Sequence, residues 1–558
     1  MNGKISVTRV VVIGLDGVTF EVIDPLIAQG ELPNLKRMMT NGSRAILQSV
    51  VPPYSPPAWI SMLTGKNPGK HGIFHFLKRK GGSYDLEVAS FRDVRENTLF
   101  SILAREGLGS GAMNIPMTYP PPDRVRGFFV SGIPVPPDPR SCASPPAIQE
   151  VIQAAGYEVD YDFRGFDPNR EEEEDRWGDY QHLLDRLIEI ERKRAEIFLN
   201  LARREELPLL FTVISLTDRV QHYFWRFTDP QHRGYSEEGN RRFGDAVRRA
   251  YVVADEILGQ IVEACGDDVA YFVVSDHGFG PHYGDFHLNG WLVQNGFIKM
   301  KRTPRWTLKR GPLRHVLARL GAGFVASLLP GSIGARMVCY PGRKRHPDRN
   351  DVVWSKTKAF ASMYGIRVNL KGREPGGIVE AGKAYQDLTR EIAKALEGIV
   401  NPMNGKRLLT ECIAKEEVFS GPHLDGSPDL FLDLAGISFL PTENWSIGET
   451  CILRKKCPFS GTHRIEGIFI AGGPPILRGK LMSPVRIMDI LPSILYLFDI
   501  PIPRDIDGNV ILEAMVEKRP VRLQASTSEE AGEGKSEKAY SEEEEDQITE
   551  NLKGMGYI

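Results

Sequence analysis

The chain is poor in cysteine, carries almost no net charge and has no uninterrupted apolar run long enough to span a bilayer. Its six cysteines, Cys142, Cys265, Cys339, Cys412, Cys451 and Cys457, show no C-x-x-C spacing. That argues against a disulfide framework and against a thiolate zinc site. A formal charge of -2 from 70 basic and 72 acidic residues removes the electrostatic case for a nucleic-acid polymer as partner of the whole molecule. The best membrane candidate, 313–337, is broken by Arg314, His315, Arg319, Pro330 and Arg336, so no transmembrane helix is expected. The opening MNGKISVTRVVVIGLDG lacks the apolar region and cleavage site of a signal peptide, and cytoplasmic residence is the expectation. No internal repeat is evident.

What is present is material for a large core, since 41% of the 558 residues are hydrophobic. Four stretches place Asp or His just outside an apolar run: Asp16 in VVVIGLDG, Asp218 and His222 in FTVISLTDRVQH, Asp276 and His277 in YFVVSDHG, and His463 in SGTHRIEGIFIAGG. The first three runs read as buried parallel strands, with their polar residues at the carboxyl ends, where open α/β sheets build sites. D-x-x-x-H on a helix puts Asp218 and His222 on one face, one turn apart, where one ion can take both. In SDHG a strand tip offers adjacent Asp and His before a glycine that permits a sharp turn. Asp16 at another strand tip needs a cation or a helix N-terminus to meet its charge. Each has a plain alternative, a helix-capping Asp, a surface His or an Asp-Gly turn. Their concurrence supplies six ligands, enough for two divalent metal ions. An all-N/O donor set suits Zn²⁺ best, with Mn²⁺ or Fe²⁺ admissible.

Ser55 lies apart, in the Pro-rich turn PPYSPPAW. The pattern predicts Ser55 as N-cap and Pro56 as the first residue of a helix running to Thr64. Capping alone would account for it. The same position holds a hydroxyl at the positive end of the helix, where N–H groups and the dipole favour a phosphate oxygen. Ser61 and Thr64 are weaker nucleophile candidates because the helix carries them away from its N-terminus. Together with the metal ligands, Ser55 points to phosphoryl transfer through a covalent serine intermediate.

Along the chain, strand and helix signals alternate from Arg9 to His75 as the opening of an α/β layered domain. A single sheet assembled from distant segments is the economical expectation, within a catalytic domain spanning 1–516. Cap insertions are expected at about 116–205, a Pro-rich flap with an amphipathic helix over 180–204, and at about 299–355. The segment 299–349 is basic, with Lys301, Arg302, Arg305, Lys309, Arg310, Arg343, Lys344 and Arg345. It reads as a solvated insertion in preference to a membrane-surface contact. From 517 to 558 an acidic tail is expected to be disordered. Its end could form a short helix carrying Ile548, Leu552 and Met555 on neighbouring turns, and docking and a free tail stay equally open.

These residues resemble the alkaline phosphatase superfamily and, within it, the branch of type I phosphodiesterases and nucleotide pyrophosphatases. LDG, PPYSPPAWISMLTGKNPGKHGI, D-x-x-x-H, SDHG and GTHR occur in the family's order, and MDILPSILYLFDIPIPRDIDG looks like its closing helix and loop. The resemblance implies a three-layer α/β/α sandwich around a mostly parallel sheet. It also implies that Asp16, Asp276 and His277 hold one ion beside the nucleophile Ser55, which is itself counted among the metal-binding residues, while Asp218, His222 and His463 hold the other. The nucleotide-specific relatives follow the nucleophile with F-P-N, whereas Pro56, Pro57 and Ala58 stand here, so the phosphate-holding Asn is unassigned and Asn114 is the candidate. Lys66, Lys70 and His71 are expected to support the loop. Trp59 replaces the Arg of the sulfatase C/S-x-P-x-R motif, and nothing matches the N-S-E-x-G-H segment of the phosphoglycerate mutases. The expected function is a phosphodiesterase or pyrophosphatase acting on a small phosphate ester such as a nucleotide. The alternatives are a phosphomonoesterase, a phosphonate hydrolase or a phosphoryl transferase, and, in another class, a non-catalytic scaffold. Oligomeric state is not legible.

Overall fold

The computed structural model describes residues 8–557 apart from 123–124, 137–141, 164–165, 168–172, 302–348, 402, 444, 446–451, 454–458 and 527–537. Its centre is a ten-stranded sheet. Five strands lie side by side in parallel, in the order Ala270–Val274, Val10–Leu15, Leu209–Ile214, Ser110–Ile115 and Gly127–Ser131. Glu466–Gly472 joins antiparallel, between Ala270–Val274 and Ser43–Gln48. Every residue of the first three strands is buried, because unbroken Val, Ile, Leu and Phe runs stay out of water only where both faces of the sheet are covered. Helices supply that cover, among them Ala246–Cys265 packed against Glu173–Ala202 and Leu216–Phe224. The expected α/β class with a mostly parallel sheet is the observed one.

Register decides what happens at the tips. Leu15 pairs with Ile214 and Gly14 with Val274, so three strands more than fifty residues apart in sequence end at one level. Two glycines set the local geometry. A Cβ on Gly14 would stand 2.5 Å from the Trp59 ring, so its absence lets the buried Trp59 seat the Ser55 helix on the sheet. Gly17 has φ of 69° and would bring a Cβ 3.3 Å from Asp218 Cα, which is why L-D-G and not another turn follows the first strand.

Four expectations need correction. The strands do not all join one sheet. A second, seven-stranded sheet contains Ala359–Ser362, Gly365–Val368, Leu430–Leu434, Phe439–Thr442 and Gly284–His287, with its own core around Phe286, Ile366, Ile392 and Leu434. Periodicity shows that a segment is a strand but not which sheet takes it. The Pro-rich stretch is not simply a flap: its apolar GFFVS run forms Gly127–Ser131 of the main sheet, and Ala143–Ser144 pairs beside it. Beyond 516 the described residues are not a free tail. Leu523–Gln524 pairs with Ile502–Pro503, and the helix Glu542–Met555 buries Ile548, Leu552 and Met555. Ser55 is the first helical residue and Tyr54 the N-cap. The basic segment lies largely outside the described residues, as do 527–537 of the tail. Among the described residues no helix is long and apolar enough to cross a membrane.

The second sheet is pinned by buried charge. Asp429, with a fully buried side chain, pairs with Arg373 at 2.6 Å and Lys415 at 2.8 Å and accepts from Val368 N at 2.7 Å. Burial works to raise this carboxyl, but the two cations outweigh it and hold it at about 2. Because the folded value lies below the unfolded one, its contribution is full above the ordinary Asp range and is lost as pH falls through about 2. Asp429→Asn strands two buried cations and should destabilise the protein by about 3 kcal/mol or more. Urea unfolding at neutral pH checks this, and a loss below about 1 kcal/mol would mean that Arg373 and Lys415 find other partners.

Candidate active site

The helix Leu216–Phe224 begins just after its strand and is fixed on the Asp16 turn. Thr217 Oγ1 donates to the Asp16 carbonyl at 2.6 Å and Gln221 Nε2 to that of Gly17 at 2.8 Å. This brings Asp218 and His222 beside Asp16. The two-stranded pairing of Gly278–Pro281 with Gly461–Arg464 then delivers His463 from far along the chain. All six predicted ligands come together, each with less than a twentieth of its surface exposed.

Their geometry is that of a donor set facing itself. His222 Nδ1 donates to the Gly461 carbonyl and His277 Nδ1 to that of Gly278, both at 3.0 Å. Each Nε2 is thereby left with its lone pair toward the cluster, the arrangement that fixes a metal-binding tautomer. His222 Nε2 and His463 Nε2 are 3.2 Å apart, a separation two ring nitrogens tolerate only with a proton or cation between them. Asp218 Oδ1 lies 3.4 Å from His222 Nε2 and 3.5 Å from His463 Nε2, ion-pair distances longer than good hydrogen bonds. Asp276 Oδ2 is 3.2 Å and Asp16 Oδ1 3.6 Å from His277 Nε2. Asp16 Oδ1, Asp218 Oδ1, Asp276 Oδ2 and His463 Nδ1 are buried without a hydrogen-bond partner.

Electrostatics tell the same story. Burial, then the charges of Asp276 and Asp218, pushes the Asp16 carboxyl well above its ordinary range. Burial and Asp218 raise Asp276 to about 7. Burial works to raise Asp218 too, but His222, His463 and Arg219 outweigh it and hold that carboxyl well below the usual range. Burial and His277 lower His463 to about 3. Three carboxylates and three imidazoles in one dry volume fit divalent cations, which satisfy orphaned oxygens and nitrogens at once. Two groups of ligand atoms lie mutually within 4.8 Å: Asp218, His222 and His463, and Asp16, Asp218 and His277. Asp218 thus stands between the two places, where the family resemblance had assigned it to one.

Ser55 Oγ lies 3.2 Å from His277 Nε2 with no exposed surface, so the structure brings the predicted nucleophile to the cluster. One expectation about it fails. Pro56 and Pro57 carry no N–H, and the Ala58 N–H is taken by the Tyr54 carbonyl at 3.0 Å. The helix start therefore offers a phosphate at most the amide of Ser55 itself. Lys66, Lys70 and His71 support the loop, through Asp505 and Glu96, Asp507, and Ser61 respectively. Asn114, at φ of 61°, donates its amide to the Val213 carbonyl at 2.8 Å and so ties neighbouring strands.

Aromatic residues that no spacing announced wall the site. A cavity of about 20 Å³ is bounded by Tyr54, Phe76, Tyr364, Phe459, His463 and Tyr557, room for about one water. Tyr364 sits in the two-residue turn between Ala359–Ser362 and Gly365–Val368, where Met363 and Tyr364 both have positive φ, as a type I′ hairpin demands. Its ring centroid is 4.8 Å from that of Tyr54.

The family model described as type I phosphodiesterase / nucleotide pyrophosphatase matches residues 10–465. The chain belongs to this family. It is a metal-dependent phosphoryl hydrolase, and the matched segment runs from the first strand to the residue after GTHR. No curated protein sequence matches it. Among solved structures, phosphonoacetate hydrolase from Sinorhizobium meliloti 1021 in complex with phosphonoacetate aligns at a TM-score of 0.51 and 16% identity, over 89% of this chain and 97% of that one. Its complex with phosphonoformate aligns equally. Murine ectonucleotide pyrophosphatase / phosphodiesterase 5 aligns at 0.47 and 14%, over 91% and 100%. At these identities the phosphonoacetate hydrolase likeness is one of fold.

Proposed function

We propose that this type I phosphodiesterase family member hydrolyses a phosphodiester or pyrophosphate bond in a small, nucleotide-like ester through a covalent intermediate on Ser55. The approach of Ser55 Oγ to within 3.2 Å of His277 Nε2, inside the six-ligand cluster, carries the reading. Asp16, Asp276 and His277 would hold one divalent ion beside Ser55, and Asp218, which also lies within reach of Asp16 and His277, would hold the other with His222 and His463, with Zn²⁺ the best match to the donors. Ions in these two places would lower the pKa of the serine hydroxyl and of the later water, and offset the charge of the phosphoryl oxygens.

The rest falls to the chain. Ser55 Oγ gives up its proton to solvent and attacks phosphorus. The Oγ–P bond forms, the P–O bond to the leaving group breaks, and the departing oxygen takes a proton from solvent. Water then attacks phosphorus, the P–Oγ bond breaks and the hydroxyl of Ser55 is restored. With two prolines at the helix start, little of the phosphate charge can be met by backbone N–H groups, so the metal ligands matter more than the helix.

The Zn²⁺- or Mn²⁺-loaded protein should turn over bis-p-nitrophenyl phosphate in preference to p-nitrophenyl phosphate, and brief acid quenching of the diester reaction should trap Ser55 carrying a p-nitrophenyl phosphoryl group, detectable by peptide mass. Preference for the monoester would move the function to phosphatase. A phosphorylated peptide lacking Ser55 would overturn the mechanism.

A further inference from the structure

The last described residue reaches the active site. Ser541 opens the helix Glu542–Met555 with a capping box, donating its N–H to Glu544 at 2.7 Å, and Ile548, Leu552 and Met555 bury one face on the body. Ahead of it, Tyr540 stacks on Tyr119 and donates its hydroxyl to the Pro134 carbonyl at 3.0 Å. Gly556 ends the helix at φ of 88°, where a Cβ would meet the Phe459 ring at 2.7 Å. Glycine satisfies both constraints. The turn sends Tyr557 inward, 4% exposed, with its ring 4.7 Å from Phe76 and 6.0 Å from His222 by centroids.

Its hydroxyl is fully used. It accepts from Arg219 Nη1 at 2.7 Å and donates to Asp218 Oδ2 at 3.1 Å, and the same Arg219 nitrogen donates to Asp218 Oδ2 at 2.6 Å. Asp160 holds the other side of the guanidinium at 2.9 Å. Oδ2 is thereby occupied, and Oδ1 is the oxygen turned toward His222 and His463.

We infer that Tyr557 is a positioning residue: its hydroxyl, brought in by the C-terminal helix, orients Asp218 so that Oδ1 is presented to the ion shared with His222 and His463. This rests on the metal assignment proposed above. Groups that orient a ligand in this way are worth about 10- to 100-fold in metal affinity or activity.

Calorimetric titration of the ion-free full-length protein with Zn²⁺ tests it, comparing wild type, Tyr557→Phe and, as control, Tyr540→Phe at the far end of the helix. Tyr557→Phe keeps the ring contacts and should weaken one of two ions by about 10- to 100-fold, with the same thermal midpoint, a fall in kcat and a steady KM. Tyr540→Phe should bind both ions as wild type does. A chain ending at Gly556 removes the ring as well and should lose at least as much affinity. Unchanged affinities in Tyr557→Phe would overturn the positioning role alone. Equal losses in the two tyrosine variants would also overturn it, reducing the effect to docking of the helix. A wild type that takes up no second ion would overturn the metal assignment along with it.

Discussion

Ser55→Ala should lower turnover by about a thousandfold or more while leaving metal content and thermal midpoint close to wild type. Ser55 is wholly buried, and its Oγ contacts His277 Nε2, an atom that the bound ion would occupy in any case. Removing one oxygen leaves Pro56, Pro57 and Trp59 to hold the helix, and the Trp59 ring stays against Gly14. A loss of function without loss of fold therefore isolates the nucleophile. Steady-state kinetics, metal analysis and a melt on one preparation suffice. Wild-type turnover in the variant would sink the assignment, and a matching drop in metal content would reduce Ser55 to a metal-holding role alone.

Removal of the ions is the second large effect. Exhaustive chelation should abolish turnover by a comparable factor, and readdition of Zn²⁺ should restore it. Stability should move as well, because an ion at a thousandfold over its dissociation constant contributes about 4 kcal/mol to the folded state. The sign of one mutation separates a metal site from a structural charge network. In the ion-free protein Asp276 is buried beside the charge of Asp218, which with burial pushes its carboxyl up. Asp276→Asn removes the cost of burying that charge beside Asp218, so the ion-free variant should be more stable than ion-free wild type at pH 8. With Zn²⁺ present the order should reverse, and activity should be lost. Urea melts with and without metal read both signs, and destabilisation in both states would argue that Asp276 serves the fold.

Asp429 is the opposite case. Its cations come with the chain, so its charge is welcome at once. Asp16 and Asp276 have no such partner and hydrogen-bond poorly. That difference between two buried acidic clusters is what marks one of them as a site.

Much of this centre is local and therefore legible in the sequence. Apolar runs that end in Asp, in D-x-x-x-H and in SDHG fix strand tips and one helix face through the periodicities of two and 3.6 residues, and these carry five of the six candidate ligands, His463 coming from GTHR. Pro56 and Trp59 mark the serine helix and set it apart from the sulfatase motif. What the sequence alone determined is thus the donor chemistry, the α/β class and Ser55 as the candidate nucleophile. The tertiary structure alone decided that Asp218 stands between both ligand groups, that two prolines strip the helix start of donors, that Tyr364 reaches the pocket from a second sheet, and that Tyr557 returns from the C-terminus to Asp218 across more than three hundred residues. The reason is physical: spacing rules record neighbours within a turn or a strand, whereas strand order, register and the docking of one helix choose which distant residues meet.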